Sequence, residues 1–237
     1  QMLPDVVMGC LHKAVADRAP AEGTSCLWNP ALMGGHGLVP GEDFADATPF
    51  AVGLFHTGGA GARPHKDGLS ATAFPSGVRN TPVEINESIA PIVVWKKEYR
   101  TDSGGAGEFR GGTGQVMQIA SSENAPFAIA ATFDRVHHAP RGREGGLDGF
   151  TGNVELTSGE VLNNKGTQSI PRNDRLHLEM PGGGGYGDPF QRDAAKVAVD
   201  VRDGMVSLSA ARDLYGVVLD ASGAVDERAT DALRNNK

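Results

Sequence analysis

The chain has 237 residues, a formal net charge of −7 and 22% charged residues, so it is long enough to bury a core and has no basic field to attract nucleic acid. Its 33 glycines are about twice the average usage but lack the period of collagen. No apolar run is as long as a membrane span, and the start lacks the layout of a secretory leader. We interpret Cys10 and Cys26 as free thiols, which favours a cytoplasmic protein.

The first predicted element is a helix with Asp5 as its N-cap, because the apolar residues that follow recur at helical spacing. Pro20 ends it. In the glycine- and proline-rich stretch that follows, residues 26–28 and 49–55 are apolar pieces with the length of strands.

The middle of the chain is a series of short apolar runs separated by turn residues. The predicted strands are 92–95, one beginning at Val116, 127–133, 154–161 and 175–181. Within 154–161, Ser158 and Gly159 are predicted to form a hairpin turn. The fold class is therefore α+β, dominated by short antiparallel strands and glycine-rich loops, with an N-terminal helix and short C-terminal helices.

After Pro189 the pattern becomes mainly helical. The predicted elements are a helix over 193–202 closed by Gly204, a helix capped by Ser207 or Ser209, a strand over 216–220 and a last helix over 226–233. We accordingly divide the chain into a β-rich core, residues 1–190, and a helical C-terminal segment, residues 191–237.

Glu84 and Glu87 are a candidate pair for general acid and base chemistry. On a helix or turn, a spacing of three places both side chains on one side, whereas on a strand it places them on opposite faces. A solvated surface pair is the competing interpretation.

Asp67 stands in the run His65-Lys66-Asp67-Gly68, with His56 nine residues before His65. Imidazole and carboxylate groups in this stretch can converge on a metal or a substrate. An Asp-Gly turn with polar neighbours explains the same residues without a ligand.

Two glycine runs contain Asp102 and Ser103 in the first and Arg110 in the second. Successive main-chain N–H groups in such runs can surround an anion, and a fixed guanidinium can hold a carboxylate by two parallel hydrogen bonds. The alternative is that the glycines permit tight crossing of chain segments.

The four glycines of residues 182–185 cost conformational entropy, so we expect another chain segment to approach their backbone closely. A substrate loop with Tyr186 as hydroxyl donor is the alternative.

The only local cationic cluster is the stretch 135–143, with two histidines and three arginines. It can receive a phosphate or a carboxylate, or it can be a solvated loop.

Several motifs together resemble the C-terminal half of the hydantoinase B family, which includes N-methylhydantoinase, the C-terminal region of 5-oxoprolinase and the acetone carboxylase alpha subunit. They are NTPVEINESIAPI, DSGGAGEFRGGTGQ, PGGGGYGDPFQRD and VAVDVRDGMVSLSAARDLYGVVLD. The resemblance is clearest over residues 64–220. Because the chain enters a helical pattern at once, we expect it to be the later part of a longer protein.

The resemblance implies an ATP-dependent enzyme of two parts. ATP with Mg²⁺ is held by an A-type subunit, which phosphorylates the oxygen of a small-molecule substrate, and the B-type subunit completes hydrolysis of a cyclic amide such as a hydantoin or 5-oxoproline. It places the divalent metal of the B-type subunit in the N-terminal half, which is then a second partner of this chain.

On this basis we assign roles without any metal ligand in this chain. The predicted catalytic residues are Asp67, Glu84 and Glu87, which position or deprotonate water, and the predicted substrate-binding residues are Asp102, Ser103, Arg110 and Tyr186. Two alternatives stay open: a ketone carboxylase subunit of the acetone or acetophenone type, and a non-catalytic scaffold that leaves the chemistry to other chains.

Overall fold

A computed structural model describes residues 2–25, 27–35, 47–72, 77 and 80–235. The described α-helices are α1 Leu3–His12, α2 Val83–Ile89, α3 Ala194–Arg202, α4 Leu208–Tyr215 and α5 Glu227–Asn235. Single turns of 3-10 helix cover Ala16–Arg18 and Pro189–Gln191. None of the helices in these ranges has the length and apolar character needed to cross a membrane.

The strands form two antiparallel sheets of four strands each. They are β1 Ala31–Gly34, β2 Phe50–Gly53, β3 Ile92–Tyr99, β4 Gln115–Ser121, β5 Phe127–Thr132, β6 Asn153–Leu156, β7 Lys165–Ile170 and β8 Leu176–Glu179. One sheet has the order β2-β1-β5-β7 and the other β3-β4-β8-β6. The α+β, β-dominated fold class is thus confirmed.

One hydrophobic core joins the two sheets. Ile129 of one sheet and Met117 and Leu178 of the other belong to the same buried cluster. Leu176 and Leu178 alternate with half-buried residues along β8, as expected for a strand with one face in a core. The rings of Trp28 and Phe133 stack in this core, with centroids 4.5 Å apart.

Most predicted elements of the middle and end of the chain are confirmed. β3, β4, β5 and β8 lie where the apolar runs predicted strands. The hairpin turn at Ser158 and Gly159 is present, since Gly159 has φ +94° and Glu155 forms a bridge to Val161 beyond the turn. In the C-terminal segment, Asp193 caps α3 and Ser207 caps α4 by accepting the N–H of Ala210.

Four local predictions are wrong. Asp5 lies in the first turn of α1 and is not its N-cap, because its carboxylate is buried in an ion pair with Arg135. Of the predicted strand 26–28, Cys26 lies outside the described residues, and Leu27 and Trp28 are not in a strand. The strand of this region is β1, three residues after Trp28. The strand over 216–220 is reduced to a single bridge between Leu219 and Val225.

The fourth error is an omission, the edge strand β7. Its sequence KGTQSI is polar and exposed along most of its length, so no apolar pattern marks it. Its position is set by pairing with β5, from Phe127 opposite Ile170 to Thr132 opposite Lys165.

In addition to the two sheets, several glycine-rich segments pack directly against one another through their backbones. We call this the glycine bundle, which consists of residues 58–62, 103–107, 111–114 and 181–185. Gly183 donates its N–H to the carbonyl of Gly112 and accepts the N–H of Gly105, each at 2.8 Å. Gly184 bonds instead to Glu22, at 2.8 Å. Consecutive residues therefore bond to different neighbours, as in extended helices with three residues per turn.

The glycine positions of the bundle have no space for a Cβ atom. A Cβ atom added to Gly183 would collide with the carbonyl group of Ala60, and one added to Gly111 would collide with the carbonyl of Gly183. The expectation that another segment approaches the backbone of 182–185 is confirmed.

The C-terminal helices have a small core of their own. Val197, Val206, Ala211 and Tyr215 are buried together with Ala106 of the glycine bundle. Because Ala106 is shared, this core is continuous with the bundle, and the division of the chain at residue 190 stays a prediction.

Candidate functional site

Two of the seven predicted site residues meet in a buried ionic cluster. The Oδ1 atom of Asp67 accepts the main-chain N–H of Arg110 at 2.7 Å. The guanidinium of Arg110 is 4% exposed and lies 3.2 Å from the carboxylate of Asp200. Arg110 thus directs its charge toward α3.

The centre of this ionic cluster is Arg192, which sequence analysis did not assign to the site. Its two terminal nitrogens bond to the two carboxylate oxygens of Asp67 at 2.7 and 2.8 Å. A further hydrogen bond of 2.8 Å reaches Asp200, and the residue is 2% exposed. Burial alone would lower the pKa of the guanidinium, but Asp67 and Asp200 raise it above its usual value.

A pattern in α3 would have revealed Asp200. It follows the buried Val197 by three residues, so the helix places a carboxylate on its inward face. A carboxylate there requires a cationic partner, because unpaired buried charge is costly. Arg192, just before the helix, supplies that partner.

The charges of the cluster balance, with two guanidiniums and two carboxylates. Burial would raise the pKa of Asp67, but hydrogen bonds from Arg192 and the main chain of Arg110 hold it below its usual range. The Asp67 carboxylate is therefore ionised and engaged on both oxygens. This geometry is suited to holding the Asp67 turn against the C-terminal helices.

Asp102 and Ser103 lie in the loop that borders this cluster, and their polar atoms are also engaged. Asp102 adopts a left-handed backbone, φ +61°, and accepts the N–H of Ser207 at 2.7 Å. The Ser103 hydroxyl donates to the carbonyl of Arg100 at 2.6 Å and accepts the N–H of Gly114 at 2.9 Å. Both residues thus fasten the loop to its surroundings.

Glu84 and Glu87 lie on α2, away from the ionic cluster, and both are exposed. The carboxylate of Glu87 accepts the N–H of Val94 at 2.8 Å. The charge of Glu84 acts on Lys97, whose pKa burial lowers and Glu84 raises, with a net lowering. Within the described residues, no hydrogen bond or ion pair joins either glutamate to Asp67.

The backbone of Tyr186 pairs with that of Phe109, next to Arg110, but its side chain reaches the segment after α1. Its hydroxyl donates to the carbonyl of Ala16 at 2.9 Å, just beyond α1, and the residue is buried. Burial, followed by the charges of Glu144 and Asp17, raises the pKa of the phenol. Tyr186 therefore anchors the segment that follows α1.

The predicted cationic stretch is largely neutralised by carboxylates. Arg135 is buried and pairs with Asp5 and with Glu22, the latter at 3.1 Å. Arg141 pairs with the other oxygen of Glu22 at 2.6 Å. Burial would raise the pKa of Glu22, but the hydrogen bond from Arg141 and the nearby charges lower it.

A cleft of about 480 Å³ opens between this stretch and α1. Its polar lining comprises Asp5, Glu22, Arg135, His137, His138, Arg141 and Asp148. Both histidines are exposed.

His56 is 0% exposed, and neither ring nitrogen makes a hydrogen bond of ordinary geometry. Burial, and then the charge of Lys97, lowers its pKa to about 4, although Asn80 opposes the shift. The imidazole is therefore neutral near pH 7. Among the residues described, no group of three or more histidines, cysteines, aspartates or glutamates has the arrangement of a metal site.

Comparisons with known proteins give one consistent family. A family profile described as Hydantoinase B/oxoprolinase matches residues 1–189. The beta subunit of the caprolactamase of Pseudomonas jessenii is 37% identical over 202 residues, which cover 74% of this chain and 32% of that protein. The B-type subunit of a putative D-/L-hydantoinase of Pseudomonas sp. strain NS671 is 32% identical, with 75% of this chain and 31% of that protein covered.

Solved structures share the fold. The crystal structure of ATP-dependent caprolactamase from Pseudomonas jessenii aligns with a TM-score of 0.75 and 29% identity, over 95% of this chain and 40% of that chain. A nucleotide-free acetone carboxylase aligns with a TM-score of 0.70 and 24% identity, over 92% of this chain and 33% of that one. The chain spans about a third of the length of the curated relatives named above.

Proposed function

This chain belongs to the hydantoinase B/oxoprolinase family, and from that premise we propose that it is the C-terminal part of a B-type subunit that opens a cyclic amide in an ATP-dependent complex. The substrate class is a hydantoin, 5-oxoproline or a related lactam. The observation that carries the proposal is the 37% identity with a caprolactamase subunit over 74% of the chain.

The chemistry requires activation of the substrate. An unstrained amide resists attack by water, and phosphorylation of its oxygen provides a leaving group. We propose that ATP and Mg²⁺ are bound by an A-type partner and that the divalent metal is bound by the N-terminal half of the B-type subunit. The free, exposed thiol of Cys10 is compatible with the cytoplasm as the compartment.

The surface of α1 supports a partner at the N-terminal side. Leu3, Val6 and Leu11 are 71%, 60% and 46% exposed, although they are large aliphatic residues on one helix. Such a contiguous apolar surface indicates a contact with another polypeptide. We propose that the N-terminal half of the subunit covers it, because this chain accounts for only 32% of the caprolactamase relative.

The contacts of the predicted site residues divide them into two groups. Asp67, Asp102, Ser103, Arg110 and Tyr186 each bond through their side chains to other parts of the chain, which suits positioning of the C-terminal helices and α1. Glu84 and Glu87 are exposed, and among the described residues the carboxylate of Glu87 bonds only to the main chain of Val94 on the next strand, so we retain both as the catalytic candidates of this chain.

The test is turnover by the reconstituted complex. The full-length chain is combined with the N-terminal half and the A-type partner, and ATP hydrolysis is measured with hydantoin, 5-oxoproline, caprolactam, and acetone plus bicarbonate. We expect ATP turnover coupled to ring opening with at least one cyclic amide. Turnover with acetone and bicarbonate alone would instead identify a ketone carboxylase and overturn the proposal.

A second candidate function is that of a non-catalytic scaffold. It is favoured because five of the predicted site residues bond to other parts of the chain, namely Asp67, Asp102, Ser103, Arg110 and Tyr186. The discriminating variants are Glu84→Gln and Glu87→Gln, with Glu160→Gln as an exposed control on another part of the surface. A catalytic role predicts a lower kcat per assembled complex and normal assembly. A scaffold role predicts unchanged kcat in all three variants.

A further inference from the structure

A second cleft, of about 470 Å³, lies between α1 and the glycine bundle. It is lined by Met8, Arg18, Pro20, Ala21, Gly23, Ala60, Gly61, Arg63, Leu69, Thr72 and Gly77. Its volume falls in the range of about 300–1,000 Å³ that is typical of small-molecule sites.

The floor of this cleft is the edge of the glycine bundle, and it offers an apolar surface. Ala21, Gly23, Ala60 and Gly61 are buried and contribute no side chain larger than a methyl group. The main-chain N–H groups of Ala21 and Ala60 are already used, donating to the carbonyl of Ala62 at 2.8 Å and to that of Leu69 at 2.9 Å. A flat ring can therefore lie directly on this floor.

The rim carries two arginines whose charges are not balanced. Arg18 and Arg63 are exposed, and neither has a described carboxylate within ion-pair distance. The guanidinium of Arg63 donates a hydrogen bond to the main-chain carbonyl of Asp67, at 2.6 Å. By contrast, the buried Arg110 and Arg192 are paired with carboxylates. In a chain of net charge −7, this rim is a local site of attraction for an anion.

We propose that this cleft binds a small cyclic amide that bears a negative charge, with the ring on the glycine floor and the anion between Arg18 and Arg63. The proposal rests on the proposed function and adds to it the position of the ligand and the requirement for a charge. The charge is either a carboxylate of the substrate or the phosphate added during activation. Both bind a guanidinium by parallel hydrogen bonds.

Binding without ATP tests this proposal independently of turnover. The full-length chain is titrated in a calorimeter and by ligand-observed NMR with 5-oxoproline, with uncharged 2-pyrrolidone and with inorganic phosphate. Because ring and anion both contribute, we expect 5-oxoproline to bind about tenfold more tightly than either of the other probes. Absence of saturable binding, or equal affinity for 5-oxoproline and 2-pyrrolidone, overturns the proposal.

Competition then separates the two sources of charge. Displacement of 5-oxoproline by acetate indicates a carboxylate subsite, and displacement by phosphate indicates a phosphate subsite. Either result supports the shared anionic site, whereas displacement by neither overturns it.

Variants locate the site. Arg18→Ala combined with Arg63→Ala is expected to weaken 5-oxoproline binding about tenfold or more and to leave 2-pyrrolidone binding unchanged. Arg63→Lys keeps the charge but not the paired geometry, so its loss is smaller. Arg228→Ala is the control, since this exposed arginine lies on α5 outside the cleft.

Circular dichroism verifies that each variant is folded. Unchanged 5-oxoproline affinity in the double variant, or an equal loss in Arg228→Ala, would place the ligand elsewhere. Failure of the turnover assay leaves this result intact, because the binding measurement contains no ATP and no partner.

Discussion

The sandwich of two sheets and the glycine bundle pack their interiors in opposite ways. In the sandwich, Met117, Ile129 and Leu178 exclude water with side chains, and the main chains of the two sheets stay apart. In the bundle, Gly183 contacts other backbones directly and is held by their hydrogen bonds. Side chains can relieve a close contact by changing rotamer, whereas two backbones in direct contact have no such freedom. The two regions should therefore tolerate substitution very differently.

The largest expected effect comes from a single methyl group in the bundle. Gly183→Ala places a Cβ against the backbone of Ala60, and we expect a loss of at least about 4 kcal/mol in the free energy of unfolding. Gly53→Ala, at an edge strand position with no atom near the added Cβ, should stay within about 1 kcal/mol of the wild type. Urea denaturation of both variants measures the difference.

A loss below about 1 kcal/mol for Gly183→Ala would show that the bundle can expand, and the contrast with the sandwich would fail. Hydrogen exchange at the amides of residues 182–185 measures the same rigidity in a second way.

An intermediate effect is expected from His56, which lies where β2 leads into the bundle. Its folded pKa of about 4 is below the unfolded value near 6.5, so the unfolded chain takes up a proton first as the pH falls. Stability should therefore decrease between about pH 6.5 and pH 4, by up to about 3 kcal/mol. The pH dependence of urea unfolding measures this slope.

His56→Gln should flatten the slope in that window, and the exposed His138→Gln should leave it unchanged. Asp67 and Glu22 act at lower pH, because their depressed pKa values keep their contribution until the pH falls through those values. An unchanged slope in His56→Gln would mean that this imidazole is hydrated or hydrogen-bonded in solution.

The smallest effect is expected in the sandwich. Ile129→Val removes one methyl group from a fully buried position, which typically costs about 1 kcal/mol. Thermal unfolding checks the value. A cost similar to that of Gly183→Ala would remove the distinction between the two regions.

Most strands of the sandwich were predictable from sequence, because they are short apolar or alternating runs between turn residues. β8 shows this pattern, with Leu176 and Leu178 inward. The edge strand β7 was missed because Lys165–Ile170 is polar, and its place depends on pairing with β5. For the bundle, the sequence predicted only that another segment approaches the backbone of residues 182–185. It did not identify that segment. Local patterns do not encode which distant glycines meet.

Only part of the candidate site was predictable, because local patterns do not show which distant residues meet. Asp67 and Arg110 are predicted from separate motifs and are neighbours in the structure. The partners that complete their ionic cluster, Arg192 and Asp200, lie 125 and more residues from Asp67. Arg18 and Arg63 stand out only in three dimensions, because their lack of a carboxylate partner is a property of the surface and not of the sequence.

The connectivity of the glycine bundle has a consequence for biosynthesis. Glu22 and Ala60 near the start of the chain bond to Gly184 and Gly112, so the network is complete only after the last of these segments has left the ribosome. Domains with such sequence-distant contacts form slowly and late. Until residue 185 emerges, the earlier glycine-rich segments lack the hydrogen bonds of Gly183 and Gly184, and the network of the nascent polypeptide stays incomplete.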